Sequence, residues 1–147
     1  MRIERIRQEE LLKNEELLNI VTEIYLNKFT YEKEFNLDDV SDIIFFIYYL
    51  NDKIIGFGSY QENLAFYLID CIFRNGYDTE KNELVNHIIS KIKTIDNEIT
   101  ICAYQAEESD RDFYLNLGFN LYKDFSIQSP EMFRSGLDLT RFVLELI

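Results

Sequence analysis

Ile3 and Ile6 alternate with charges in MRIERIR, which predicts a short first strand over residues 1–7. From Gln8 to Phe29 the apolar positions are Leu11, Leu12, Leu17, Leu18, Ile20, Val21, Ile24, Tyr25 and Leu26. Spacings of three and four dominate, the mark of one or two amphipathic helices. Tyr31 to Asp42 is acidic and polar, a short helix or loop around Leu37 and Val40. Two β-rich runs follow, Ile43 to Leu50 and Ile54 to Tyr60, joined by Asn51-Asp52-Lys53. Such runs around a short polar turn predict a hairpin.

Asn63 to Phe73 reads as another strand, broken by Arg74-Asn75-Gly76. Leu84, Val85, Ile88, Ile89 and Ile92 then form a helical stripe within Thr79 to Thr94. Glu98 to Tyr104 is a strand. Ser109 to Leu117 is a short helix, with Ser109 or Asp110 as N-cap and Gly118 as its stop. Phe119 to Ile127 and Leu137 to Ile147 complete the strands. A hairpin feeding a β-α-β unit predicts an α+β domain, a mixed sheet with helices on both faces. One proline and five glycines, with no linker or repeat, leave a single domain over 1–147.

Charge narrows the partners. Fifteen basic and 27 acidic residues give −12, which repels phosphate backbones and argues against nucleic acid. A cationic substrate or partner is favoured by the same field. No apolar run reaches the ~20 residues of a membrane span. The charged N-terminus is no signal peptide, so a cytoplasmic location is expected. Cys71 and Cys102 sit in apolar runs as buried thiols, and with His87 alone they make no metal site. His87 falls in the helical stripe as a partly exposed residue.

The hairpin FFIYYLNDKIIGFGSYQ is similar to the second and third strands of the GNAT superfamily of acyl-CoA-dependent N-acetyltransferases. The stretch ITICAYQAEESDRDFYLNLGF resembles its later motif, a strand, a loop, a helix carrying Phe113-Tyr114, then Leu117-Gly118-Phe119. The resemblance spans about residues 43–127. It implies a mostly antiparallel sheet of six to seven strands and acetyl-CoA as co-substrate. The family's fourth strand ends in a glycine loop that opens a helix, where backbone amides bind pyrophosphate. Here Gly76 stands at that loop's Arg or Gln, Thr79 at its first glycine and Lys81 at its second. Asp78 and Glu80 add negative charge. Either the loop borrows Arg74, Thr79 or Lys81 as phosphate donors, or Asp78 or Thr79 simply caps a helix.

The resemblance also implies roles. Tyr114 matches the tyrosine that supports the leaving thiolate, and a phenol can donate to it at neutral pH. Asp70 lies where a carboxylate can take the amine's proton, with Glu62 as a second candidate base. Amides near Cys71 and Phe73, where the family's strand bulges and splays from the fifth, would polarise the thioester carbonyl. Glu107 replaces an Asn that often contacts the cofactor arm. The run Glu107-Glu108-Ser109-Asp110 reads as a solvated loop and cap. With Glu32, Glu34, Asp38 and Asp39 it would present acidic rims to an amine. The expected acceptor is thus a small-molecule amine or a lysine-bearing protein. Family members often dimerise, which leaves a homodimer open. The alternatives are a GNAT-like binding or regulatory module with a decayed loop, and an acidic mimic that binds a basic partner by charge.

Overall fold

The computed structural model describes residues 1–30, 33–35, 37, 42–105, 107–124 and 142–146. The elements run β1 Arg2–Arg7, α1 Gln8–Lys13, α2 Glu15–Lys28, β2 Ile44–Leu50, β3 Lys53–Glu62 and β4 Phe66–Phe73. They continue with α3 Asp78–Ile95, β5 Thr100–Gln105, α4 Glu108–Asn116, β6 Asn120–Asp124 and β7 Phe142–Leu146. Asn14 divides the first helical stretch. It ends α1 and caps α2, its side chain accepting from Leu17 N at 3.1 Å. Asn51 and Asp52 both take positive φ, 51° and 64°, and close the β2–β3 hairpin.

The seven strands form one sheet in the order β1-β2-β3-β4-β5-β7-β6. Only the β4–β5 pair is parallel; the other five pairings are antiparallel. This is the mixed sheet that the pattern predicts, and its mostly antiparallel pairing over seven strands is what the family resemblance implies. The continuous apolar run of β2 follows from helices covering the sheet on both of its faces. Phe46 and Tyr48 enter one core with α3 and α4, while Phe45 and Ile47 enter the other with α1 and α2. Leu84, Val85, Ile88 and Ile92 are fully buried and hold α3 on its face. Truncating Leu84, Ile88 or Ile92 to Ala removes about 2–5 kcal/mol. Gly58 makes that approach possible: a Cβ there would lie 2.6 Å from Ile88 Cδ1 and 2.7 Å from Cys71 Sγ.

Some boundaries differ from expectation. β4 begins at Phe66, because Asn63 N bonds Phe66 O and residues 63–65 make a turn. α3 starts at Asp78 with Tyr77 as N-cap, so neither Asp78 nor Thr79 caps it. Glu107, not Ser109 or Asp110, is the N-cap of α4. Gly118, at φ 102°, ends that helix as expected. Most of the predicted segment 31–42 lies outside the described residues, as do 125–127 of the sixth strand and 137–141 and 147 of the last.

Candidate active site

β4 and β5 run side by side only from Phe66↔Thr100 to Ile69↔Ala103. Beyond Ile69, β4 continues to Phe73 without β5 beside it, and the strands part. The expected bulge is not the cause. The register of β4 on β3 is unbroken from Glu62↔Tyr67 to Gly56↔Phe73. Instead the Asp70 carboxylate takes the next amide itself: Cys71 N donates to Asp70 Oδ1 at 2.9 Å. The amide expected to polarise a carbonyl is therefore already engaged.

The gap opens into a cleft of about 700 Å³. Its walls include Cys71 and Phe73 of β4, Lys81 of α3, Asp110 and Phe113 of α4, and Lys28 of α2. Tyr114 is wholly buried, and its hydroxyl has no hydrogen-bond partner among the described residues. Burial, then Cys71, Asp70 and Asp110, push its pKa well above 10, while the Cys71 amide favours the anion. Gln105 Nε2 is a second buried donor. Half-buried Asp70 is pushed up to about 6, first by desolvation and then by Asp110. The Cys71 amide, Lys81 and Gln105 pull it back. A carboxylate titrating near 6 is suited to accept a proton at neutral pH.

Lys81 is buried, with Nζ 3.0 Å from Asp110 Oδ1 and 4.3 Å from the centre of the Phe113 ring. Asp110 Oδ2 is held in turn by Lys28 Nζ at 3.1 Å. Lys28 also reaches Glu107 Oε2 at 3.2 Å. Burial pulls Lys28 down, but Asp110 and Glu107 outweigh it and hold its pKa above the ordinary value. Asp110 is thus no part of a solvated run; it turns inward between two ammonium groups. Sequence reasoning missed this residue and Lys28. The available signal was spacing: Asp110 lies one helical turn before Tyr114, and Lys81 one turn before Leu84 and Val85.

The other predicted residues separate. Arg74 pairs with Glu23 at 3.2 Å and donates from Nε to Ile54 O at 3.3 Å, so its guanidinium is committed towards α2. Gly76, at φ 91°, and Thr79 are exposed beside the first turn of α3, whose N-cap side chain makes no capping bond. Phe73 borders the cleft, and its ring packs on Tyr48, centroids 5.4 Å apart. Glu62 ends β3 opposite Tyr67, at the far end of β4 from the opening, and is no candidate base there. His87 is half-buried against Phe46, away from this group. Both cysteines are buried, and burial raises both thiols, Cys102 to about 11. Among the described residues no His, Cys, Asp and Glu cluster suits a metal ion, and no helix is long and apolar enough to cross a membrane.

Solved structures share this overall fold. ElaA of Escherichia coli matches with a TM-score of 0.75 at 12% identity, over 100% of both chains. The chain has the GNAT fold. An acyl-CoA N-acyltransferase from Pseudomonas aeruginosa matches equally, TM-score 0.75 at 10% identity over 100% of both chains. The N-acetyltransferase PseH of Campylobacter jejuni, solved in complex with acetyl coenzyme A, has a TM-score of 0.53 at 15% identity. The match covers 99% of this chain and 98% of PseH. No family model matches the sequence, and no curated protein matches it.

Proposed function

We propose that the protein transfers an acyl group, acetyl in the first instance, from an acyl-CoA to a primary amine. The observation that carries this reading is the parted end of β4 and β5. There the buried Tyr114 Oη has no hydrogen-bond partner among the described residues, close to a carboxylate raised to about 6 and to the buried Gln105 side chain. Buried polar atoms without partners are costly, and a bound carbonyl or sulfur is the kind of group that satisfies them. The thioester end of the donor fits these residues. At its phosphate end, the first-turn amides of α3 and the loop around Gly76 would hold it without the family's glycines. Bound acetyl-CoA supplies an activated thioester carbonyl.

The chain's own residues do the rest. Asp70 accepts the proton of the attacking amine, directly or through water. Tyr114 donates a hydrogen bond to the departing sulfur. Its raised pKa makes full proton transfer to a thiolate uphill, so the hydroxyl stabilises charge by donation. The acidic surface draws a cationic amine, whether a small molecule or a protein lysine.

The test is calorimetry with acetyl-CoA at low salt, with CoA and ADP as controls, followed by an amine screen that reads thiol release. Micromolar binding that follows the pantetheine arm supports the reading. No binding up to about millimolar, roughly −4 kcal/mol, overturns it. One set of observations favours a second reading, a binding module on the same fold. Asp78 and Glu80 flank a loop that lacks both close-approach glycines, and an ion bridge spans the cleft.

A further inference from the structure

We propose that the Lys28–Asp110–Lys81 triad is a strap drawn across the donor cleft in the free protein. Opening the strap and binding the donor are then one event. This rests on the donor-cleft reading above.

The triad ties three helices together where the sheet is parted. α2 packs on one face of the sheet and α3 on the other, through separate cores. Asp110 of α4 uses one carboxylate oxygen for each: Oδ1 for Lys81 at 3.0 Å and Oδ2 for Lys28 at 3.1 Å. All three residues line the cleft. Lys81 and Asp110 are among the few buried charged residues among the described ones. On this proposal a slender chain of atoms entering between α3 and α4 displaces their bridge.

The bridge is not what fixes the helices. Leu84, Val85, Ile88 and Ile92 hold α3, and Tyr114 packs against Phe119 to hold α4. Lys81 is buried beside them, its ammonium on Asp110 and over the Phe113 ring, so removing it leaves the apolar packing of α3 in place. If only a fraction of the free protein has the strap open, donor affinity is reduced by that fraction. Cutting the strap returns it.

Lys81→Ala is the direct variant, because alanine suits the helix and Asp110 keeps Lys28 as partner. Asp110→Asn is the second, since it weakens both bonds at once. Circular dichroism and thermal melting establish that each is folded. Calorimetry with acetyl-CoA then compares them with the wild type. We expect both variants to bind at least fivefold tighter. Binding by the variants alone gives the same support. Affinities within twofold of a binding wild type, or weaker ones, overturn the strap and leave the donor cleft standing. Failure of all three proteins to bind up to millimolar overturns the donor cleft, and the strap with it.

Discussion

Asp70→Asn should make the protein more stable at pH 8 and change it little at pH 4. Desolvation at the parted strand end raises the Asp70 pKa from its ordinary 3.8 to about 6. The folded state therefore holds this proton more tightly than the unfolded chain. Its contribution to stability is full below 3.8 and is lost as pH rises through about 6. At 1.36 kcal/mol per pH unit, that interval corresponds to about 3 kcal/mol. Asp70 is only half-buried and keeps some hydration, so about 3 kcal/mol is a ceiling. Asparagine carries no charge, and its Oδ1 can still accept from Cys71 N. The gain over the wild type should be about a fifth complete at pH 4, about half complete at pH 5, and full above pH 7. Urea unfolding at pH 4, 5 and 8 reads this directly. With m near 1–3 kcal/mol/M, the midpoint at pH 8 should move up by about 1–3 M. Turnover should fall as stability rises, and the wild-type rate should climb through about pH 6. A variant less stable at pH 8, or one whose gap to the wild type is the same at pH 4 and 8, would refute the burial argument.

Three further outcomes follow from local geometry. Tyr114→Phe removes a hydroxyl that has no partner among the described residues. Its melting temperature should hold or rise, while turnover in a thiol-release assay drops tenfold or more at unchanged donor affinity. Gly58→Ala drives a Cβ to 2.6 Å from Ile88 Cδ1 and 3.0 Å from Asp70 O. It should cost about 1–3 kcal/mol in urea unfolding, with an unaltered midpoint as the contrary result. Asp52→Gly relieves a positive φ of 64° in the hairpin turn. It should raise stability by about 0.5 kcal/mol, seen as a small upward shift in thermal melting.

Apolar periodicity carried most of the fold. The stripe Leu84, Val85, Ile88 and Ile92 located α3, and the paired runs around Asn51-Asp52 located the hairpin. Pattern reports which face a residue joins, not what another element brings to it. Asp110 sat in a run of acids and read as solvent-facing, yet its helix turns it the same way as buried Tyr114. Lys81 stood at a loop position by comparison with the family, although it shares a face with Leu84 and Val85. The pairing of two inward polar residues from different helices depends on long-range packing. The insertion of β7 between β5 and β6 and the end of β4–β5 pairing at Ile69 depend on it as well. The positions of Tyr114 on α4 and Asp70 on β4 were legible, the first from the Phe-Tyr and Leu-Gly-Phe motif and the second from its apolar strand run.

The charge of the cleft also fixes how donor binding should respond to salt. The basic side chains beside it are already engaged: Lys81 and Lys28 by Asp110, Arg74 by Glu23. The nearest charges at the start of α3 are Asp78 and Glu80, and the whole chain carries −12. A donor bearing phosphates thus approaches through a repulsive field. Its affinity must come from the pantetheine arm and from backbone amides, whose contacts salt scarcely touches. Raising ionic strength from about 0.01 to 0.15 M shortens the screening length from ~30 to ~8 Å, which removes most of that repulsion. Acetyl-CoA should therefore bind more tightly at the higher salt, by about two- to fivefold, against the usual behaviour of phosphate sites built on basic side chains. Calorimetry at the two ionic strengths decides it. An affinity that falls with salt would mean that Lys28, Lys81 or Arg74 leaves its carboxylate to hold phosphate, and that the phosphate end rests on side chains.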